Sequence, residues 1–94
     1  MSATSVQGAD AGNGETLSRQ CSACHGKQGI AKDPSVPNLA GQSSLYLEKS
    51  MKDFRTGARE NARMTLMAQQ LSDEEIKDLA AFYASFKIEV IEPE

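Results

Sequence analysis

An all-α fold, a small bundle of about four helices, is predicted by three features of this 94-residue sequence. Apolar side chains recur at helical spacing in several segments. Glycines and a capping box stand where those segments begin or end. The length suits one domain, with a core too thin to fold well unless something else is buried in it.

The first helix is predicted to begin at Asp10 and to end before Gly26. Leu17 and Cys21 stand four residues apart, and the residues after Cys21 continue the same helical face until the glycine stops it. Residues 1–9 are small and polar and are predicted to form a flexible arm. Both cysteines of the chain therefore fall near the end of the first helix.

A long structured loop is predicted over residues 26–41, which hold three glycines and two prolines. The next helix begins near Ser43 or Ser44 and ends at Gly57. Its apolar side chains follow the spacing i, i+4, i+7 and are expected to face the core. They are Leu47, Met51 and Phe54.

The last helix is predicted over residues 73–87. Ser72 and Glu75 form a capping box, and Leu71 and Ile76 occupy the positions of a hydrophobic staple. Its apolar stripe consists of Ile76, Leu79, Phe82, Tyr83 and Phe86. A short helix from Met64 is predicted before it, and residues 88–94 form an apolar and acidic tail.

The charge argues against some partners and favours others. A net charge of -3 argues against nucleic acid, and no apolar run approaches the roughly 20 residues that cross a bilayer. Residues 43–71 carry five Lys/Arg against three Asp/Glu, whereas residues 72–94 carry two against seven. This asymmetry indicates either solvated helix faces or a dipole that orients the molecule towards a partner.

The segment QCSACHG, residues 20–26, holds both cysteines and the single histidine. At about 100° per residue, Cys21, Cys24 and His25 share one side of a helix. Cys-x-x-Cys-His is the attachment pattern of a c-type haem, in which two thiols add across the porphyrin vinyl groups. His25 would then lie beneath the ring with a nitrogen towards the iron, and the haem would supply the missing core.

Three other interpretations of these residues are open. A redox dithiol would open a helix after a strand, and no strand pattern precedes Cys21. A zinc site needs four ligands, usually from a second Cys or His pair, which the chain lacks. Free structural thiols beside a surface histidine would require three scarce residue types to cluster by chance.

The second axial ligand of a haem iron would come from a methionine, because the chain has one histidine. Met1 lies in the arm, and Met51 is a core residue of the middle helix. Met64 and Met67 remain, and spacing alone does not choose between them or exclude packing roles for both. A thioether ligand favours ferrous iron and raises the reduction potential.

These strings resemble class I cytochromes c: CSACHG near the start, PNLAGQ after a loop, and a methionine before the final amphipathic helix. LAGQSSLYLEKSMKDFRTGAR and MAQQLSDEEIKDLAAFYASF are similar to one haem domain of the c-four type cytochromes, which usually carry two such domains. The resemblance covers residues 10–87. It implies the class I cytochrome c fold around one covalent haem, with Gly14 and Leu17 of the first helix crossing Phe82 and Tyr83 of the last.

The resemblance also implies a set of site residues. The ligand methionine stands seven residues before the leucine that precedes the last helix, which is Met64. The Pro37 carbonyl accepts a hydrogen bond from His25, and Leu39 packs on the haem. The implied haem-binding residues are Cys21, Cys24, His25, Met64, Pro37 and Leu39, with His25 and Met64 on the iron. Tyr46, Arg55 and Arg59 are candidates to hold the propionates.

The implied function is that of an electron carrier, not an enzyme, which passes single electrons between redox protein partners. A membrane or periplasmic oxidoreductase is the expected partner, and a monomer or weak dimer is the expected state. The resemblance implies a periplasmic location, with the export signal absent from this chain. The alternatives are the haem domain of a larger oxidoreductase, supported by the tail, and a ligand-binding or peroxidase-like module with a labile sixth site.

Overall fold

A computed structural model describes residues 8–93 and contains helices but no strand within them. The helices are α1 (Ala11–Leu17), α2 (Ser22–His25), α3 (Ser44–Thr56), α4 (Ala62–Gln69) and α5 (Asp73–Ala84). The predicted all-α class is confirmed. The predicted arm lies outside the described residues, apart from Gly8 and Ala9. None of the helices in this part of the chain is long and apolar enough to cross a lipid bilayer.

The prediction of one continuous first helix is wrong. A 3₁₀ turn at Ser18–Gln20 separates α1 from α2. The Ser18 hydroxyl donates to the Glu15 carbonyl at 2.7 Å, and the Cys21 amide donates to the Ser18 carbonyl at 2.9 Å. Serine hydroxyls compete for helical carbonyls in this way and tighten or bend the chain. The break allows α2 to leave the axis of α1.

The α3 helix matches its prediction closely. The Ser43 hydroxyl accepts from the Tyr46 amide at the start, and Gly57 ends the helix with a φ of 90°. A left-handed residue at this position favours glycine, which has no Cβ to clash. The α4 helix begins two residues before the predicted Met64, because the Asn61 side chain caps it.

The capping box of α5 is present in both directions, between Ser72 and Glu75. The helix ends at Ala84, three residues earlier than predicted. The Ser85 hydroxyl donates to the Phe82 carbonyl at 2.6 Å, which satisfies one of the orphan carbonyls of the last turn. Phe86 lies beyond the helix and still packs edge-on against Phe82, with ring centroids 5.2 Å apart.

Helices α1 and α5 cross at Gly14, as the resemblance implied. A Cβ at Gly14 would overlap the Asp78 carbonyl and lie 2.8 Å from the Cβ of Phe82. The Asp78 carboxylate also accepts from the Asp10 amide and the Asn13 side chain, each at 2.8 Å. Close backbone approach and these bonds fix α1 on α5.

A link between α3 and α5 is made by Arg55. Its guanidinium donates to the Leu71 carbonyl at 3.2 Å and pairs with the Asp73 carboxylate. The hydrogen bond and charge of Arg55 lower the pKa of Asp73 below its usual value of 3.8. The turn between α4 and α5 is thereby tied to the end of α3.

The core of the described residues is thin, as the composition predicted. Ile76 is the only large side chain in it that is fully buried. The buried apolar cluster consists of Leu47, Leu71, Ile76, Leu79, Ala80 and Tyr83. Met51, Leu39 and Phe86 pack against its edge and are only partly buried.

Candidate cofactor site

A cavity of about 370 Å³ lies where a larger core would be expected, between α2, the loop after it and the last three helices. Its wall is mainly apolar, and all six of the predicted haem-binding residues belong to it. Together with the second candidate methionine, these are Cys21, Cys24, His25, Pro37, Leu39, Met64 and Met67.

His25 is the last residue of α2 and is 6 % exposed. Its Nδ1 lies 2.9 Å from the Pro37 carbonyl oxygen. A carbonyl only accepts, so Nδ1 carries the hydrogen and Nε2 keeps its lone pair. An imidazole held in this tautomer is suited to bind a metal through Nε2.

The loop that carries Pro37 is held at both ends. The amides of Leu39 and Ala40 donate to the Gly29 carbonyl at 2.7 and 3.1 Å. The Gly41 amide donates to the Tyr83 carbonyl of α5 at 2.9 Å. These bonds fix the position of the carbonyl that orients His25.

Cys21 and Cys24 are not joined to each other and are both partly exposed. The amides of Cys24 and His25 donate to the Cys21 carbonyl at 3.2 and 3.0 Å, so one helical turn places the three side chains. The predicted common side is therefore kept although the long first helix is broken. Burial raises the pKa of the Cys21 thiol.

Met64 and Met67 lie three residues apart on α4, and both are half-buried in the cavity wall. Residues at this spacing share one face of a helix. Met51 also lines the cavity, from α3. The structure thus brings both candidate sulfurs to the site without choosing between them.

The rim differs from the prediction at one arginine. Tyr46 and Arg59 line the cavity, but Arg55 does not, because it is engaged with Leu71 and Asp73. Arg59 lies over the ring of Phe54, with 4.5 Å from its guanidinium carbon to the centroid.

Sequence reasoning missed several polar residues of the rim, among them Asn61 and Arg63. Their position just before Met64 was the available signal, because a residue beside a ligand on a short helix shares its environment.

Tyr83 is a further member of the wall and is 3 % exposed. The sequence placed Tyr83 in the apolar stripe of α5, and that pattern does not indicate whether its hydroxyl is exposed or which group it bonds to. The oxygen is buried and has no hydrogen-bond partner among the described residues. Burial raises the pKa of this phenol above its usual range.

These residues fit a haem better than a metal ion alone. Within residues 8–93, no three His, Cys, Asp or Glu side chains form a group that could hold a metal ion. Two thiols, one oriented imidazole and two thioethers instead surround an apolar space. That donor set suits a covalently held porphyrin whose iron has one nitrogen and one sulfur ligand.

Comparisons with known proteins agree with this chemistry. The family model described as Cytochrome c matches residues 11–87. Cytochrome c-554(548) of Halomonas halodenitrificans is 52 % identical over 79 residues, which cover 81 % of this chain and 95 % of that protein. Cytochrome c4 of Pseudomonas aeruginosa is 42 % identical over 81 residues, which cover 86 % of this chain.

Among solved structures, reduced recombinant cytochrome c4 from Pseudomonas stutzeri superposes with a TM-score of 0.79 at 36 % identity. The match covers 84 % of this chain and 46 % of that one. The chain therefore spans nearly the whole of the Halomonas relative, but only 40 % of the Pseudomonas aeruginosa cytochrome c4 and 46 % of the Pseudomonas stutzeri one.

Proposed function

The chain belongs to the cytochrome c family, and from that premise we propose that it is a monohaem electron carrier with iron held between His25 and Met64. Residues 10–87 form its haem domain in this proposal. The observation that carries the proposal is the cavity in which an oriented imidazole, two thiols and a thioether converge.

Each residue near the attachment motif has a defined task. Cys21 and Cys24 would hold a haem by thioether bonds, and His25 would bind its iron through Nε2. The bond from Nδ1 to the Pro37 carbonyl fixes the ring and raises its basicity as a ligand. Leu39 keeps water from this face of the cavity. The haem supplies one-electron chemistry, in which iron alternates between the ferrous and ferric states.

Met64 is proposed as the second residue that would bind the iron. It lines the cavity, and its amide donates to the Asn61 side chain at 3.0 Å, so the cap of α4 fixes the backbone at this residue. The family resemblance supports Met64 over Met67. A nitrogen ligand from His25 and a sulfur ligand from Met64, in a mainly apolar pocket, would suit electron transfer by a bound haem.

Electrons are proposed to pass at the cavity mouth near the attachment motif. Ala23 lines the cavity and is exposed, and Gln28 and Leu66 are exposed in the adjoining segments, Leu66 to 62 %. A small uncharged contact of this kind suits transient redox partners. Partners are proposed to be periplasmic or membrane oxidoreductases that meet the protein as a monomer or weak dimer, in a periplasmic location.

The test is a visible spectrum of both oxidation states, with and without carbon monoxide, together with the mass of the mature protein. We expect one added haem, a low-spin spectrum and no carbon monoxide binding at neutral pH. Ready carbon monoxide binding would favour a labile sixth site and a ligand-binding or peroxidase-like module. A mass without haem would refute the proposal altogether.

Steering by charge is tested separately. If the basic middle and acidic end orient the molecule, its association rate with a redox partner should fall as salt rises from low to physiological concentration. A rate that is unchanged by salt would contradict steering and leave the contact patch as the sole determinant.

A further inference from the structure

The Tyr83 hydroxyl has no role in the function proposed above. It is buried in the cavity wall, and no described residue bonds to it. Burying a hydroxyl without a hydrogen bond costs about 1–3 kcal/mol, and such groups in native proteins generally have a partner. A phenylalanine would fill the same space without that cost. The oxygen is therefore expected to gain an acceptor when the site is complete.

Cys21 packs against the buried cluster that contains Tyr83, and both residues line the cavity. The Cys21 thiol and the Ser18 hydroxyl also influence the pKa of the Tyr83 phenol. The Ser18 hydroxyl gives its hydrogen to the Glu15 carbonyl at 2.7 Å. Its oxygen can therefore only accept from Tyr83. The Cys21 thiol is a weak donor and a weak acceptor as it stands.

The ring of Tyr83 is fixed on several sides. Its centroid lies 5.0 Å from that of Phe82, and a Cβ at Gly29 would lie 2.9 Å from its Cδ1 atom. The Tyr83 carbonyl accepts from the Gly41 amide at 2.9 Å. These contacts hold the Tyr83 ring in the part of the cavity wall that also includes Cys21.

We propose that Tyr83 is a positioning residue that donates its O–H to the sulfur of Cys21 once that sulfur is part of a thioether. The inference rests on the proposed attachment of haem at Cys21. In that addition the S–C bond forms, the vinyl double bond is used and the thiol hydrogen moves to the neighbouring vinyl carbon, so no oxidant is needed. The sulfur then has lone pairs and no hydrogen, and the unpartnered phenol of Tyr83 is a donor in the same cavity wall.

Such a bond has two effects. It orients the thioether at Cys21, and it draws electron density from a sulfur bonded to the haem. Hydrogen bonds to sulfur and to metal ligands are known means of setting reduction potentials. A donor at this sulfur favours the ferrous state, and its removal should favour the ferric state.

The experiment compares the haem-loaded wild type with Tyr83→Phe, which removes one oxygen and keeps the ring. Resonance Raman spectra in H₂O and in D₂O report the C–S stretch of each thioether. We expect one C–S band of the wild type to shift on deuteration and the same band to be insensitive in Tyr83→Phe. We also expect the equilibrium constant for reduction to fall about two- to fivefold in the variant.

Two control variants separate this bond from other effects. Tyr46→Phe removes the exposed hydroxyl on the same cavity and should keep the isotope shift. Ser18→Ala removes the competing acceptor and should also keep it. A purely structural role for Tyr83 would lower the unfolding midpoint of Tyr83→Phe without changing the isotope response.

The outcomes are distinct. Haem attached at Cys21 with no isotope shift in the wild type, or a shift that persists in Tyr83→Phe, overturns this inference alone. Loss of the shift in Ser18→Ala rather than Tyr83→Phe assigns the bond to serine and also overturns it. A mature mass without haem overturns both this inference and the proposed function.

Discussion

The hydrogen bonds that a side chain makes outside the site determine which of its polar atoms remain available inside it. His25 is the clearest case, because the Pro37 carbonyl occupies Nδ1 and leaves one nitrogen available for a metal. Arg55 shows the opposite outcome, since Leu71 and Asp73 occupy its guanidinium and keep it from the cavity. The chemistry of each residue therefore depends on what its other atoms contact.

The two methionines of α4 are separated by a pair of single substitutions. Met64→Leu should abolish the sulfur-to-iron absorption band at the red end of the ferric spectrum, because leucine fills the space but offers no lone pair. Met67→Leu is the matched control and should keep the band, since it removes the neighbouring sulfur from the same helix face. Loss of the band in Met67→Leu alone would assign the ligand to the other methionine.

Among individual residues, the sequence was most informative for reactive side chains that lie close together along the chain. Cys21, Cys24 and His25 could be grouped from their spacing, because one helical turn suffices to bring them together. The pairing of Arg55 with Asp73 could not be predicted, because it depends on how α3 and α5 approach each other. The unpartnered hydroxyl of Tyr83 was equally hidden, since a helical stripe reports which face is buried and not what its polar atoms meet.

Helices of this domain are positioned by a few close contacts rather than by large apolar faces. The crossing of α1 and α5 depends on Gly14, where any side chain would meet the backbone of α5. The hydrogen bonds from Asp10 and Asn13 to Asp78 reinforce that contact. Small changes at the crossing should therefore have large effects on stability.

Gly14→Ala tests the crossing. Alanine would gain about 1 kcal/mol of helix propensity, but its Cβ would overlap the Asp78 carbonyl, and overpacking typically costs about 1–3 kcal/mol or more. We expect a net loss in the free energy of unfolding, measured by denaturant titration. Gly12→Ala is the control on the same helix, where a Cβ meets only the Asp10 carboxylate at 3.3 Å. An equal response of the two variants would contradict a tight crossing.

The link between α3 and α5 should depend on pH. The pKa of Asp73 in the folded protein lies below 3.8, so the unfolded chain binds the proton first and the pair stabilises the fold above that pH. This contribution should be lost as the pH falls from 3.8 through the folded-state pKa. Asp73→Asn should therefore unfold at a lower temperature than wild type at pH 7 and approach it at low pH.

Glu74→Gln is the control for that experiment, because it removes a neighbouring exposed carboxylate from the same first turn of α5. It should share any effect of the helix dipole but not the effect of Arg55. Identical pH profiles for the two variants would refute the link.

Elements with local start and stop signals could be predicted well from the sequence. The capping box of α5 and the glycine after α3 encode their own boundaries in a few neighbouring residues. The break between α1 and α2 was missed, because a serine hydroxyl can either face solvent or bond to a carbonyl, and the periodicity is the same in both cases. Tertiary contacts decide such positions.

The cavity occupies the centre of the domain, since α2, the loop after it, α3, α4 and α5 all contribute to its wall. With Ile76 the one large side chain fully buried among the described residues, the protein alone provides little core. The cavity wall is mainly apolar, so without a haem this surface would be left in contact with water and would not contribute to folding.

The protein should therefore lose its fold when haem is not attached. The variant Cys21→Ala/Cys24→Ala is expected to show little helical circular dichroism and no cooperative thermal transition. The single variant Cys24→Ala keeps one thioether and His25, and should retain the fold with a lower unfolding midpoint. A cooperatively folded, haem-free double variant would show that the polypeptide packs without the cofactor.

The crossing of α1 with α5 joins the part of the domain that is synthesised first to the part that is synthesised last. A polypeptide emerging from a ribosome or a translocation channel presents Cys21 and Cys24 before the helix bearing Tyr83 exists. The contact between Gly14 and Asp78 can therefore form only after the whole domain has left the channel.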